Sequence, residues 1–428
     1  MEEKQRCYFV IDMKSFFASV ECAERNLNPM IDKLVVADSK RGERSICLAV
    51  TPSMKKLGVK NRCRLYEIPK NIDYITAVPR MKKYIEYASK IYAIYLKYID
   101  KQDIHIYSID ESFIDVTDYL KLYKIRAKDF AIKLMKEIEN TVHIPSSVGI
   151  GTNMYLAKIA LDITAKHSKD NIGWLTEEKF KRELGTHEPL TDFWGISKGI
   201  SDRLKKYGIS NMKTLSEFDE DILYKEFGIN AELLIDHSKG IETCLMSDIK
   251  NYNSKSRSIS NSQILPFNYS YSDAKIVFKE MIQEGCYRLA RENYTTAHIT
   301  IYIGYGNKKR SSSKGSITMP VYTNLYSQII LYALKVFDDV VSKIEPIRKL
   351  GFSFGGLIED KYQQLNLFID SAKLTKEKKL VQCIINLKDK YGRNSILKAL
   401  DFQENATQKD RNQQIGGHNS GEGEDAEN

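Results

Sequence analysis

No run of apolar residues in this 428-residue chain approaches the roughly 20 that a membrane-spanning helix needs, although 42% of the residues are hydrophobic. Residues 1–6 are polar and charged, and they lack the features of a signal peptide. We therefore expect a cytoplasmic protein that makes no contact with a membrane. The length is sufficient for two to four domains, each with its own core.

Paired cysteines are also missing. The seven cysteines are scattered singly, with no Cys-x-x-Cys and no Cys/His pairing, at positions 7, 22, 47, 63, 244, 286 and 383. This spacing predicts neither a zinc site nor a disulfide framework. We expect reduced and mostly buried thiols.

Positive charge is concentrated in one part of the chain. The net charge is +9, and residues 241–358 contain 15 Lys and Arg against 9 Asp and Glu. From residue 412 onward there is no Lys or Arg and there are four acids. This segregation predicts one domain that faces a polyanion.

Two predicted strands end in carboxylates. The strand Tyr8–Met13 runs into Asp12, and the segment 105–113 contains Asp110 next to Glu111. Because successive strand residues point to opposite faces, the adjacent pair can share one cation only where the strand ends or bends. An isolated Asp-Glu pair is more often a solvated turn. The additional strand-end acid Asp12 favours a metal site.

The type of ligand in this site indicates the metal and its chemistry. Three hard oxygen ligands without His or Cys suit magnesium that is shared with substrate phosphates. Two such ions bridged by carboxylates would stabilise both the attacking and the leaving oxygen of a phosphoryl transfer.

The order of predicted elements is that of an α+β protein. Strand, helix (81–99), strand pair, helix (125–140) and strand (148–151), with one insertion, give a ferredoxin-like βαββαβ pattern. The insertion has predicted strands over 33–37 and 45–50 and a predicted helix over 51–59 that begins with a hydroxyl cap and Pro. Residues 166–173 are predicted to form a polar loop. A helical segment follows, and then a polar Ser/Asn/Lys-rich linker and a second β-α-β-β-α-β run. The tail contains a predicted helix over 377–390, and residues 406–428, rich in Gln, Asn, Gly and acids, are expected to be disordered.

Residues 12–21 (DMKSFFASVE) and 107–111 (YSIDE) resemble the two signature motifs of the Y-family translesion DNA polymerases, in the UmuC-like (ImpB/MucB/SamB) branch. The resemblance covers nearly the whole chain in family order. It implies template-directed addition of deoxynucleotides to a primer 3′ end past DNA damage. No segment has the acids and element order of a separate 3′→5′ exonuclease, so proofreading is not expected.

The resemblance also implies a multidomain right-hand architecture. Its parts would be a ferredoxin-like palm (1–28 and 78–168), small fingers (29–77), a helical thumb (169–242) with a helix-hairpin-helix near 192–209, a linker (243–258), a βαββαβ little finger domain (259–358) and a C-terminal tail (359–428).

Particular residues follow from the same resemblance. Asp12, Asp110 and Glu111, with the backbone carbonyl of Met13, would hold two Mg²⁺ ions. Phe17 would be the steric gate beneath the incoming sugar. The other predicted contacts to the deoxynucleoside triphosphate are Ser15, Phe16, Thr51, Lys55 and Lys166. Here the chain departs from the family pattern, since many members have Tyr where Pro52 stands and some have Arg in place of Lys55.

Two basic segments are predicted to contact primer-template DNA. The turn 195–199 exposes backbone N–H groups at a helix start, where a phosphate is favoured, although a bare Gly-rich turn is more often a capping device. The loop 308–314 offers phosphate contacts without sequence readout, or is simply solvated. The predicted DNA contacts are Gly195, Lys198, Gly199, Arg203, Lys308, Lys309, Arg310 and Lys314.

A short peptide predicts a protein partner. Residues 364–368 (QLNLF) match the pentapeptide with which bacterial polymerases bind the sliding clamp, and the contacts would be Gln364, Leu365, Leu367 and Phe368. Accessory SOS proteins are further expected partners, as some UmuC-like enzymes require them.

Two other classes of function use similar features. A nucleotidyl cyclase also combines a palm-like sheet, two metals and strand-end acids, but it has no need of the helix-hairpin-helix, the basic domain or the clamp peptide. A non-catalytic DNA-binding subunit would have retained the fold, but the intact Asp12, Asp110 and Glu111 argue against it.

Overall fold

Two sheets, each part of a separate unit, organise the computed structural model, which describes residues 6–39, 42–307, 312–361 and 371–421. One unit comprises the described residues up to Tyr252 together with Gly421, and the other comprises Asn253–Ser420. In the described residues no helix is long and apolar enough to cross a membrane.

The first unit begins with an interrupted α/β segment and continues with a series of helices. Its strands are β1 Tyr8–Met13, β2 Leu34–Val36, β3 Ala49–Val50, β4 Ile75–Ala77, β5 Ile104–Ile106, β6 Glu111–Asp115, β7 Ser146–Gly151 and β8 Ile172–Leu175. Its helices are α1 Phe16–Ala23, α2 Pro52–Lys56, α3 Met81–Leu96, α4 Thr117–Leu122, α5 Ala127–Val142, α6 Met154–Ile159, α7 Glu177–Leu184, α8 Lys198–Lys205, α9 Met212–Ser216, α10 Glu220–Phe227, α11 Asn230–Ser238 and α12 Met246–Asn251.

The main sheet of this unit has the strand order β5-β6-β1-β7-β8. Strand β1 is antiparallel to both β6 and β7, while β7 is parallel to β8. The path β1-α3-β5-β6-α5-β7 is the expected βαββαβ pattern. Every residue of β7 is buried, as are all residues of β1 except Asp12. A strand covered on both faces reads as a continuous apolar run, which made β1 recognisable in the sequence.

Strand β8 was not predicted, because it follows a polar stretch that we expected to continue as a loop to residue 173. It pairs with β7 from Ile172 to Leu175, and both of these side chains are buried. Four residues are too few to show a period against a polar background, so the strand depends on its neighbour for recognition.

The insertion between β1 and α3 forms its own small sheet, with the order β3-β2-β4. Val35, Cys47, Val50 and Met54 share its core. The predicted strand over 45–50 is shorter than expected, since only Ala49–Val50 pairs as a strand. The predicted hydroxyl cap of α2 is also wrong. The Thr51 hydroxyl does not cap the helix but instead accepts the Leu34 N–H at 3.2 Å.

Part of the predicted linker 243–258 is helical. Helix α12 belongs to the first unit, and its Met246 is buried in a cluster with Tyr8, Val10 and Phe113. The Asp248 side chain accepts the Leu245 N–H at 2.8 Å and so helps to start the helix. The polar composition that suggested a linker lies on the helix surface, while one buried methionine attaches it to the core.

The second unit repeats the βαββαβ pattern. Its elements are β9 Ile259–Tyr269, α13 Tyr271–Arg291, β10 Tyr294–Tyr305, β11 Ser312–Thr323, α14 Tyr326–Val340, β12 Ile347–Gly355, β13 Ile358–Glu359, α15 Ser371–Tyr391, α16 Gln408–Arg411, β14 Gln414–Ile415 and β15 His418–Asn419. The main path is β11-β10-β12-β9. Phe278 of α13, Phe337 of α14 and Phe352 of β12 are buried together in its core.

Residues 406–421, part of the segment 406–428 that was expected to be disordered, are ordered, and residues 422–428 lie outside the described residues. Glu280 of α13 accepts the backbone N–H groups of Thr407 and Gln408 at 2.9 and 3.2 Å, and Arg411 donates to Asn261 of β9 at 3.1 Å. Because these contacts join segments more than 100 residues apart, the local composition could not reveal them.

These Glu280 contacts generate a prediction about pH. Burial raises the pKa of Glu280 from 4.5 to about 7, although the hydrogen bonds from Thr407 and Gln408 oppose the shift. A carboxyl whose pKa is higher in the folded state contributes stability that is complete below about pH 4.5 and is lost as the pH rises through about 7. Glu280→Gln should therefore become more stable relative to the parent across this window. Urea unfolding between about pH 5 and about pH 8 measures the difference.

Glu404→Gln, at an exposed position in the same unit, is the control for the replacement of a Glu by Gln. A difference between Glu280→Gln and the parent that does not change with pH would contradict the assignment.

Candidate active site

A tight turn between β5 and β6 carries two of the predicted acids. The N–H groups of Tyr107 and Ser108 both donate to the carbonyl of Glu111, at 3.0 and 3.1 Å, and so reverse the chain direction. The Ser108 hydroxyl donates to the Asp110 carboxylate at 2.6 Å. The strand therefore bends at the Asp-Glu pair, as a shared site requires.

The third acid comes from the neighbouring strand. Asp12 lies opposite Glu111 in the antiparallel register of β1 and β6, and the Met13 N–H donates to the Asp110 carbonyl at 3.0 Å. Three carboxylates thus lie at one end of two paired strands, although their positions in the sequence are about 100 residues apart.

The electrostatics agree with a shared site. Burial, followed by the charges of Asp110 and Glu111, raises the pKa of Asp12 to about 7. Burial also raises the pKa of Glu111, against the opposing effect of Lys158. Mutual repulsion of this kind is relieved when a cation enters.

The donor atoms suit a hard divalent ion, because they are carboxylate oxygens without nitrogen or sulfur. Within the described residues, however, no three acidic, His or Cys side chains already converge as a metal cage. Two of the three acids have other partners, since Ser108 donates to Asp110 and Lys158 pairs with Glu111. The residues fit the metal by type and location, while their side chains are held in another arrangement.

Sequence reasoning missed Lys158 and Asp162. The Lys158 Nζ lies 2.7 Å from the Glu111 Oε1 and 3.2 Å from the Asp162 Oδ2, and Lys158 is only 7% exposed. Burial alone would lower the pKa of Lys158, but Glu111 and Asp162 hold it above its ordinary value. The only available signal was a Lys and an Asp four residues apart in an apolar helix, which usually indicates a surface pair.

The segment after β1 contains the predicted nucleotide contacts Ser15, Phe16 and Phe17. Ser15 has φ 50° and starts α1, and its hydroxyl is buried without a hydrogen-bond partner among the described residues. Phe16 is 2% exposed, so only its backbone is available to a ligand. Phe17 is half-buried, and its ring stacks on Tyr84 with centroids 4.5 Å apart.

Lysines collect beside Asp12. Desolvation lowers the pKa of Lys55, and the charge of Lys166 lowers it further while Asp12 opposes the shift. Desolvation, followed by the charge of Lys56, similarly lowers the pKa of Lys14. Lys55 and Lys166 were predicted contacts, whereas Lys14 and Lys56 were not. Such mutual influence indicates a cluster of cations that an anion would stabilise.

The prediction for Thr51 is wrong. This residue is completely buried, and its hydroxyl lies 2.8 Å from the Ser53 hydroxyl in addition to its bond with Leu34. A triphosphate could not reach it without opening the small sheet.

The predicted helix-hairpin-helix turn precedes α8. Gly195 has φ 89°, and the Ser197 hydroxyl accepts the Ile200 N–H at 3.4 Å, so the turn does cap the helix. Lys198 and Gly199 are exposed. Arg203 does not present a free guanidinium, since it pairs with Glu226 at 2.6 Å and lies 4.2 Å from the centre of the Phe227 ring. This arginine joins α8 to α10.

The basic loop of the second unit is only partly described. Lys308, Lys309 and Arg310 lie outside the described residues. Lys314 is not in a loop, because it belongs to β11, where it is paired with Tyr302 and its ammonium lies 5.3 Å from that ring. The peptide residues Gln364, Leu365, Leu367 and Phe368 also lie outside the described residues.

Known proteins have the same fold and similar sequences. A solved Y-family DNA polymerase chimera aligns with a TM-score of 0.63 and 19% identity, over 82% of this chain and 99% of its own. The fold is therefore that of a Y-family DNA polymerase. Residues 11–162 match the impB/mucB/samB family, and residues 256–367 match the C-terminal domain of that family. The chain belongs to the impB/mucB/samB family.

Two relatives from Bacillus subtilis align over almost their whole length. UvrX, named for UV-damage repair, is 31% identical over 96% of this chain and 97% of its own. DNA polymerase IV 2 is 30% identical over 97% of this chain and 99% of its own. Residues 256–367 match the family's C-terminal domain, which a nucleotidyl cyclase would not need, so this match argues against the cyclase hypothesis.

Proposed function

We propose that the protein extends a primer 3′ end on damaged templates by a two-metal nucleotidyl transfer at the strand-end acids. The protein is a translesion DNA polymerase of the Y-family, according to its family and fold. The observation that carries the site assignment is the register of Asp12 opposite Glu111, with Asp110 beside them.

Asp12, Asp110 and Glu111, with the carbonyl of Met13, would hold two Mg²⁺ ions. Bound there, the ions would supply charge neutralisation at the reacting phosphate and its leaving group. The chain's own part is to keep three acids at one end of the paired strands, where burial and then the charges of Asp110 and Glu111 raise the pKa of Asp12. Primer-template DNA and deoxynucleoside triphosphates are the substrates of this chemistry.

The nucleotide would lie between the acids and the lysine cluster. Lys55 and Lys166 would bind the triphosphate, and the free backbone amides at the start of α1, near Ser15 and Phe16, would donate to it. Lys14 adds positive charge beside Asp12, and Lys56 adds further charge beside Lys14. Phe17 would lie beneath the sugar, where its stacking on Tyr84 restrains the ring.

DNA would contact the turn before α8 and the basic segment of the second unit. Gly195, Lys198 and Gly199 remain candidates, as do Lys308, Lys309, Arg310 and Lys314. The sliding clamp, held by residues 364–368, and accessory SOS proteins are proposed partners.

The first prediction here concerns the acids. Asp110→Asn and Glu111→Gln should each lose nucleotide addition by several orders of magnitude, because an amide does not replace a carboxylate as a metal ligand. Binding of primer-template DNA should change only a few-fold, since affinity comes from phosphate contacts elsewhere. Primer extension and a DNA-binding titration measure the two effects. Asp118→Asn, on the surface of α4, is the control, and appreciable extension by either acid variant would remove the assignment.

The second prediction concerns Phe17. Phe17→Ala should admit ribonucleotides that the parent rejects, because the steric clash with a 2′ hydroxyl is relieved. The ratio of ribonucleotide to deoxynucleotide incorporation is the measurement. Phe16→Leu, at the buried neighbour, should lower stability and leave the ratio unchanged. An unaltered ratio in Phe17→Ala would return Phe17 to a packing role.

The third prediction concerns the clamp peptide. Leu367→Ala combined with Phe368→Ala should abolish clamp binding and clamp-stimulated synthesis, since a few apolar anchors carry most of the affinity of such peptides. Distributive synthesis without the clamp should persist, because tethering raises only the local concentration of primer ends. Asn366→Ala, between the anchors, is the control. Equal clamp affinity of the double variant and the parent in a binding titration would refute the assignment.

A further inference from the structure

A buried ammonium lies between two acids at the edge of the candidate active site. The Lys158 Nζ is 2.7 Å from Glu111 and 3.2 Å from Asp162, and the side chains of Lys158 and Glu111 are 8% and 11% exposed. A buried charge is tolerated only where opposite charges surround it. Lys158 has two such partners, so it can lose one and remain paired with the other.

The backbone around Lys158 is held in place by close packing. A Cβ added at Gly149 would lie 2.0 Å from the Ala157 carbonyl oxygen, and one at Gly151 would lie 2.2 Å from the Ala157 nitrogen. Only glycines let α6 approach β7 this closely. Because Ala157 immediately precedes Lys158, the origin of the lysine side chain is fixed against the sheet that also carries Asp12.

The second acid lies on an irregular turn. Residues Ala160–Thr164 directly after α6 form a π-helical turn, which includes Asp162. Single π-helical turns within helices are uncommon and occur frequently at functional sites. The turn leaves Asp162 within reach of the ammonium from the side of α6, while Glu111 approaches from β6.

We propose that Lys158 is a positioning residue that sets the divalent-metal affinity of the site by occupying Glu111 until a metal arrives. In the metal-free protein its ammonium neutralises Glu111, and Asp162 retains the ammonium when the metal takes the Glu111 carboxylate. This inference rests on the proposed role of Glu111 as a metal ligand.

Substitutions of Lys158 and of Asp162 should have opposite effects on metal binding. Lys158→Met keeps a chain of similar length but removes the competing charge, so the metal should bind more tightly. Asp162→Asn removes the alternative partner and leaves the ammonium on Glu111, so the metal should bind more weakly. Each shift should be on the order of three-fold to ten-fold, the size of a single partly buried ion pair. Lys158→Arg retains the charge and should stay closer to the parent than Lys158→Met does.

The experiment is a titration of Mn²⁺ into the purified full-length protein, without DNA or nucleotide, with free Mn²⁺ followed by electron paramagnetic resonance. This readout does not depend on polymerase activity. Lys136→Met, on the exposed surface of α5, controls for loss of one positive charge. Thermal unfolding of each variant shows that it is folded, and Asp162→Asn remains informative if Lys158→Met is not.

The outcomes separate the inference from the proposed function. Opposite shifts for Lys158→Met and Asp162→Asn, with Asp110→Asn losing the Mn²⁺, support it. If Lys158→Met and Asp162→Asn shift the Mn²⁺ affinity in the same direction, or leave it equal to that of the parent, the inference is overturned. Loss of Mn²⁺ binding in Asp110→Asn would still preserve the metal assignment in that case. Unchanged Mn²⁺ affinity in Asp110→Asn overturns the metal assignment and this inference together.

Discussion

The pairing register between β1 and β6 is the constraint on which the candidate site depends. Asp12 faces Glu111 because residues 8–12 pair in order with residues 115–111. A shift of one residue would turn each side chain of one strand to the other face of the sheet and would separate the acids. The register is maintained by burial, since each side chain from Tyr8 to Ile11 is at most 1% exposed. Burial of these apolar side chains thus offsets the repulsion among the three acids at the end of the paired strands.

A second buried network, centred on Glu21, supports the side chain of Phe17. Glu21 is completely buried and accepts hydrogen bonds from Arg80 at 2.8 and 3.0 Å and from the Tyr84 hydroxyl at 2.8 Å. Tyr84 in turn stacks on Phe17. The position of Phe17 is therefore linked through one aromatic ring to a satisfied ion pair in the core. Rigid support of this kind is what a side chain needs if it is to exclude a ligand by shape.

The elements that could be predicted are those with strong local patterns. The apolar strands β1 and β7, and the periodic helices α3 and α5, were recognised near their observed bounds. The acids were recognised because Asp12 and the Asp110-Glu111 pair both lie at the ends of apolar runs, and it was the combination that favoured a metal site. The elements that were not predicted depend on contacts that are distant in sequence. Strand β8 pairs with β7, Met246 of α12 packs against Tyr8, and the C-terminal segment donates hydrogen bonds to Glu280. Lys158 looked like an ordinary helix lysine because its partner Glu111 lies on another element.

The attachment of the C-terminal segment has a practical consequence for anyone who shortens the gene. The family match ends at residue 367, and this position would be a natural place for a stop codon. Such a truncation would remove Val381 and Ile385 from the cluster that they form with Tyr287 of α13, and would take away the N–H donors of Glu280. A fragment cut at the end of the matched domain would therefore expose an apolar strip along α13, and its poor solubility would reflect the choice of end point rather than an inherently unstable domain.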